Sequence, residues 1–116
     1  MSKQPTSLRR LGTFSRRVFG RELFLPVCTY ILEHGKSSVA FSDVQRHLRR
    51  AGLGATDAPV SLELKELSDL GMLRRQKREG RSRPYAKVDS PLWNVVTVAI
   101  EAASKTTRLR ATRRRN

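Results

Sequence analysis

Residues 64 to 85 read LKELSDLGMLRRQKREGRSRPY, an apolar helical stripe that stops at Gly71 and passes at once into a run dense in arginine. Leu64, Leu67 and Leu70 recur at helical spacing, and glycine is the usual residue just past a helix end. Met72 to Lys77 and Tyr85 to Val88 then have the length of two short strands, with Arg78 to Pro84 as the tip between them. Arg74 and Gln76 leave one face of the first strand and Arg75 and Lys77 the other, so both faces are polar and the hairpin must project from the body of the fold.

The remainder of the chain supplies helices. Residues 1–17 mix basic side chains with Ser, Thr, Gly and Pro, which predicts a flexible basic arm in which Leu8, Leu11 and Phe14 could form a single turn. Phe19, Leu23, Phe24, Val27, Ile31 and Leu32 predict a first helix over Val18 to His34, stopped by Gly35, with Pro26 as a kink or a restart. Lys36 to Phe41 is an extended link whose Val39 and Phe41 could pair with the hairpin as a third strand. Ser42, followed by Gln45, predicts a capping box and a second helix to about Ala51, with Val44 and Leu48 inward, Arg46, Arg49 and Arg50 outward, and Gly52 to Gly54 as the turn. A third helix starts near Asp57, its N-cap candidate, with Pro59 in the first turn and a buried stripe of Val60, Leu64, Leu67 and Leu70. A final helix covers Pro91 to Thr107, and residues 108–116 form a basic tail. The fold class is mainly α with a small antiparallel β-hairpin (α+β).

Charge narrows the partners. The chain carries 24 Lys and Arg against 10 Asp and Glu, a formal net charge of +14. Residues 23 to 73 hold five basic and six acidic side chains, so the excess lies in the segments around that neutral body. Segregated positive charge suits a polyanion, because phosphate contacts release condensed counterions. Arginine outnumbers lysine 18 to 6; it fits phosphate forks and narrow minor grooves, although a biased genomic base composition gives the same excess.

The single cysteine, Cys28, allows no internal disulfide and lies in an apolar run, where a buried inert thiol is expected. His34 and His47 are read as isolated, at a helix end and on a helix surface, and no metal site or cofactor is expected. No nucleophile, base and orienting group recur at catalytic spacing, and no phosphate-cradling glycine loop is present, so an enzyme is not expected. Ser15-Arg16-Arg17-Val18-Phe19 before Leu23 to Leu32 has the look of a twin-arginine export signal, but Glu22 and Pro26 interrupt it, and no run reaches the ~20 apolar residues of a membrane span. A cytoplasmic, nucleoid-associated location is expected.

Helix, short strand, helix, turn, helix, hairpin, helix resembles the winged helix-turn-helix transcription regulators of the MarR, ArsR and PadR type, over about residues 18–104. Ser61 to Leu73 is similar to that family's recognition helix running into the glycine that opens the wing. Arg74, Arg75, Glu79-Gly80-Arg81 and Tyr85 are similar to its basic wing with an aromatic on the return strand. The resemblance implies a winged helix domain over 18–90, an additional C-terminal helix over 91–107, and binding to double-stranded DNA. The family's metal-sensing branches use Cys and His clusters that this chain lacks; whether a small-molecule effector is sensed stays open.

With Val60, Leu64 and Leu67 inward, the third helix turns Thr56, Ala58, Ser61, Leu62 and Lys65 toward a major groove. Ser61 can exchange hydrogen bonds with a base edge, Leu62 can meet a thymine methyl, and Lys65 can reach a phosphate or guanine. Glu63 and Glu66 oppose this unless they face away or pair with arginines. Wing contacts are assigned to Arg74, Arg75, Lys77, Arg78, Arg81 and Arg83, on phosphates or in the minor groove. Arg9, Arg10, Arg16 and Arg17 before the domain, and Arg113, Arg114 and Arg115 after it, could act as arms on the DNA backbone or remain solubilising tails. Leu92, Val95, Val96, Ala99, Ile100 and Ala103 stripe the final helix, and predict a homodimer that places two recognition helices about one DNA turn apart. Two alternatives remain: a sequence-tolerant architectural or nucleoid DNA-binding protein, and an RNA-binding or ribosome-associated basic protein, the latter disfavoured by the scarcity of stacking aromatics.

Overall fold

In a computed structural model of the chain, residues 7–34, 38–77 and 83–114 are described, those from 106 to 114 by their backbone alone. Among the described residues there are five helices and one two-stranded antiparallel sheet: α1 (Leu8–Phe19), α2 (Phe24–His34), α3 (Phe41–Arg50), α4 (Asp57–Asp69), β1 (Leu73–Arg75), β2 (Tyr85–Lys87) and α5 (Leu92–Arg114). No helix among them is long and apolar enough to cross a membrane.

The largest departure from the sequence reading is at the beginning. Residues 8–17 of the stretch expected to be a flexible arm belong to α1, a helix docked on the body, while residues 1–6 lie outside the described residues. Ser7 caps it by accepting the Arg10 N–H at 3.2 Å, and Leu11, Gly12 and Ser15 are buried. Arginines between the apolar positions mask the stripe, and a serine stands at one core position. Ser15 is tolerated there because its hydroxyl donates to the Arg21 carbonyl at 2.6 Å and accepts the Leu25 N–H at 3.1 Å, stapling α1 to α2.

The first helix, expected to run unbroken from Val18 to His34, is instead two helices. Gly20, at φ 79°, ends α1 with its N–H on the Arg16 carbonyl, and the chain restarts at Phe24 with Pro26 in the first turn, where its missing N–H costs nothing. The second helix lies centrally, packed against α1, α3, α4 and α5. It buries Leu25, Val27, Cys28 and Ile31 completely, beneath Val44 and Leu48 of α3 and Val60, Leu64 and Leu67 of α4.

Helix α3 starts after Ala40 without a side-chain cap, so the expected Ser42–Gln45 box is not formed. Gln45 points to the next helix instead: its Nε2 donates to the Ala55 carbonyl at 3.1 Å and to Asp57 Oδ1 at 2.6 Å. The N-cap of α4 is Thr56 rather than Asp57. Its C-terminus is a Schellman motif, with Gly71 N–H on Ser68 O and Met72 N–H on Leu67 O, and Gly71 takes the left-handed φ of 79° that the motif needs. Leu70, expected in the buried stripe, is half exposed at this end, and Met72 fills the core position.

The strands are shorter than expected, with Leu73 opposite Lys87, Arg74 opposite Ala86 and Arg75 opposite Tyr85. The expected third strand is present as a single bridge: Val39 N–H donates to Tyr85 O at 2.7 Å, and Tyr85 N–H to Val39 O at 2.8 Å. Helix α5 is tied to the base of the hairpin by Trp93, whose Nε1 donates to the Val88 carbonyl at 3.0 Å and the Met72 carbonyl at 3.3 Å. It continues to Arg114, through most of the stretch expected to be a tail.

Candidate nucleic-acid interface

Two side-chain donors on one carbonyl hold α3 against the start of α4: Gln45 Nε2 and Arg49 Nε both donate to Ala55 O, at 3.1 and 3.2 Å. The packing of α3 on the start of α4 therefore rests on side chains that point across the turn, and Arg49, expected merely to face outward, is one of them. Thr56, Ala58, Ser61, Leu62 and Lys65 are all exposed, and Ala58, Ser61, Leu62 and Lys65 share one strip of α4 by helical spacing.

Asp69, also exposed, continues that strip one turn beyond Lys65 and is its one carboxylate, while the acids elsewhere on α4 are engaged. Glu63 is buried and lies 3.4 Å from Arg21 Nε; Glu66 lies 3.9 Å from Arg21 Nη1; Asp57 accepts from Gln45. The condition under which Glu63 and Glu66 would not oppose a phosphate is thus met by an arginine from the α1–α2 turn. Burial raises the Glu63 carboxyl above its ordinary range, Arg21 pulls it down by less, and Glu66 adds to the rise. Its Oε1 is buried without a hydrogen-bond partner among the described residues. Burial likewise pushes the Cys28 thiol far up, with the Glu63 charge adding to the effect, which makes it a poor nucleophile.

Arg74, Arg75, Lys77 and Arg83 are exposed on the hairpin and make no ion pair among the described residues. Arg75 lies over the Tyr85 ring at 5.3 Å, and Arg83 Nε reaches back to the Gln76 carbonyl at 3.4 Å, so these two cations have preferred positions. Arg78 and Arg81 lie outside the described residues, as do Arg115 and the side chains of Arg113 and Arg114. Arg9, Arg10, Arg16 and Arg17 are exposed on α1, a fixed helix rather than an arm.

The stripe assigned to dimerisation divides in two. Val96 and Ala103 are buried in the protomer's own core beside Trp93, and Ala99 and Ile100 pack against it, so these four are spent on folding. Leu92, Val95 and Val98 form the exposed apolar ridge, at 37%, 57% and 64% exposure. Val98 lies outside the stripe that the sequence assigns to dimerisation.

His34 and His47 are not isolated. Their rings stand 5.6 Å apart and each lies about 5 Å from the Tyr30 ring, an aromatic cluster across α2 and α3 that sequence separation conceals. Among the described residues no group of three or more His, Cys, Asp or Glu side chains could hold a metal ion.

Comparison of the chain with protein-family models, with curated proteins and with solved structures finds no match. The geometry of its own residues carries the functional reading.

Proposed function

We propose that this chain is a double-stranded DNA-binding transcription regulator of winged helix-turn-helix architecture, located in the cytoplasm on the nucleoid. In this reading α3 and α4 are the helix-turn-helix, α4 lies in the major groove, and the β1–β2 hairpin is a wing on the minor groove or the phosphates. The observation that carries the reading is the exposed strip of α4 bearing Ser61, Leu62 and Lys65, with Asp69 as its one carboxylate, adjoining across Gly71 a hairpin whose Arg74, Arg75 and Arg83 have no acidic partner among the described residues. Lys65 and Ser61 read base edges, Leu62 offers an apolar contact, and Arg74, Arg75, Lys77 and Arg83 supply most of the affinity. A second copy paired along Leu92, Val95 and Val98 of α5 completes a regulator for a pseudo-palindromic site.

A second reading, a sequence-tolerant architectural DNA protein, is favoured by one observation: Lys65 is the single cation of α4, so the helix offers few groove-facing donors. Selection of bound fragments from random duplex DNA at two salt concentrations separates the two. A regulator enriches one motif at both salts; an architectural protein enriches none. Absence of any retained duplex at low salt would overturn both.

A further inference from the structure

We propose that α1 and the Gly52–Gly54 turn form a second phosphate-binding surface, which takes the backbone of the same duplex beyond the N-terminal end of α4. The proposal rests on the DNA-binding reading above. Helix α1 reads LRRLGTFSRRVF and holds four arginines and no carboxylate. Helical spacing puts Arg9 and Arg16 on one flank of its outer face and Arg10 and Arg17 on the next, with Thr13 between them. All four arginines are exposed, and none makes an ion pair among the described residues.

These charges are held, not tethered. Leu11 and Ser15 anchor the opposite face in the core, so Arg9 and Arg16 keep an axial separation of about 10 Å, or roughly three base-pair steps of a duplex backbone. The flank bearing Arg9 faces the turn between α3 and α4. The Arg9 stem passes over Gly52, its Cδ 3.3 Å from where a Cβ would stand, and Gly52 adopts a φ of 86°. Ser7, Arg9, Arg10, Thr13, Gly52 and Gly54 line the resulting open cleft, together with Leu53 and one carboxylate, Glu22.

The cleft adjoins the end of α4 that enters a groove in helix-turn-helix binding. Gly54 leads through Ala55 to Thr56, and Ala55 is clamped by Gln45 and Arg49. The hairpin follows the other end of α4 through Gly71. Arginines therefore flank α4 at both ends, and a duplex seated on α4 meets phosphate ligands on both sides of the contacted groove. A mobile arm would contribute charge without position; a docked helix contributes both.

The test is the salt dependence of binding by the full chain, with a 30-base-pair duplex and with the same duplex shortened on the α1 side. Arg9→Gln with Arg10→Gln alters only exposed side chains, and an unchanged circular dichroism spectrum and melting temperature certify the fold. The expected result is a slope of log K against log salt reduced by about 1.8 for two lost phosphate contacts on the long duplex, with Arg9→Lys and Arg10→Lys retaining it, and no reduction on the shortened duplex. An unchanged slope on the long duplex, alongside a reduced slope for Arg74→Gln with Arg75→Gln, overturns the α1 surface and leaves the DNA-binding reading standing. Unchanged slopes in both variants overturn both. An Arg9→Gln with Arg10→Gln variant that keeps its slope on the long duplex but no longer brings two labelled duplexes together assigns the α1 arginines to a second duplex and also overturns the proposal.

Discussion

The Arg21 guanidinium lies 3.4 Å from the buried carboxylate of Glu63, and this pair fastens the α1–α2 turn to the middle of α4. Arg21 is one-third exposed and Glu63 almost wholly buried, so the contact is a carboxylate drawn into the protein with its counter-charge at the surface. It steadies the helix whose other face carries Ser61, Leu62 and Lys65.

The pair makes stability depend on pH in a defined direction. Burial raises Glu63 above its ordinary 4.5, so the native state holds this proton more tightly than the unfolded state. The contribution is therefore full below 4.5 and is lost as pH rises through the raised native value. Unfolding of the wild type and of Glu63→Gln by urea should show the wild type gaining relative stability from pH 7 to pH 4.5. Arg21→Ala should cost about 2 kcal/mol at pH 7, discounted for the exposure of Arg21, and less at pH 4.5. A wild type that loses ground on acidification would mean that the Arg21 attraction outweighs desolvation.

Trp93 is the link between hairpin and α5. Trp93→Phe keeps most of the packing and removes the donor to Val88 and Met72 carbonyls, so thermal unfolding should show a loss of about 1–2 kcal/mol. Loss below ~0.3 kcal/mol would show that water replaces the indole.

Ser61→Ala with Lys65→Ala should reduce preference for a selected site over random duplex by about 1–3 kcal/mol per lost base contact, with little change in random-duplex affinity. Competition binding measures this ratio. An unchanged ratio would remove α4 from base reading.

Light scattering should find a dimer for the wild type and a monomer for Val95→Asp, because the charge falls in the middle of the exposed α5 ridge. A wild-type monomer at high micromolar concentration, binding one per site, would contradict the pairing.

Much of this architecture is legible in the sequence where one residue type has one physical use. Gly71 ends α4 because the Schellman turn needs a left-handed residue, and the apolar stripes of α3 and α4, Leu70 excepted, point inward as their spacing requires. Val39 pairs with the return strand as its position suggests. What escapes the sequence depends on partners far along the chain. Ser15 looks like an arm residue until Arg21 and Leu25 satisfy it. Gln45 looks like a capping residue until Ala55 and Asp57 arrive. The exposed residues of α4 follow from periodicity alone, whereas the neutralisation of Glu63 by Arg21 joins positions 42 residues apart and has no local signature. The α5 stripe divides between core and surface for a related reason: apolar residues surround much of that helix, and the placement of Trp93 brings one flank to the core.

The central claim is that a duplex is held by the arginine hairpin beside α4. Its most direct test is the affinity of the full chain for a labelled duplex between 50 and 200 mM salt, compared with Arg74→Gln and Arg75→Gln combined. The account predicts tight, steeply salt-dependent binding, and a slope smaller by about 1.8 in the variant. Equal slopes for the two proteins, or no saturable duplex binding at the lowest salt, would contradict it.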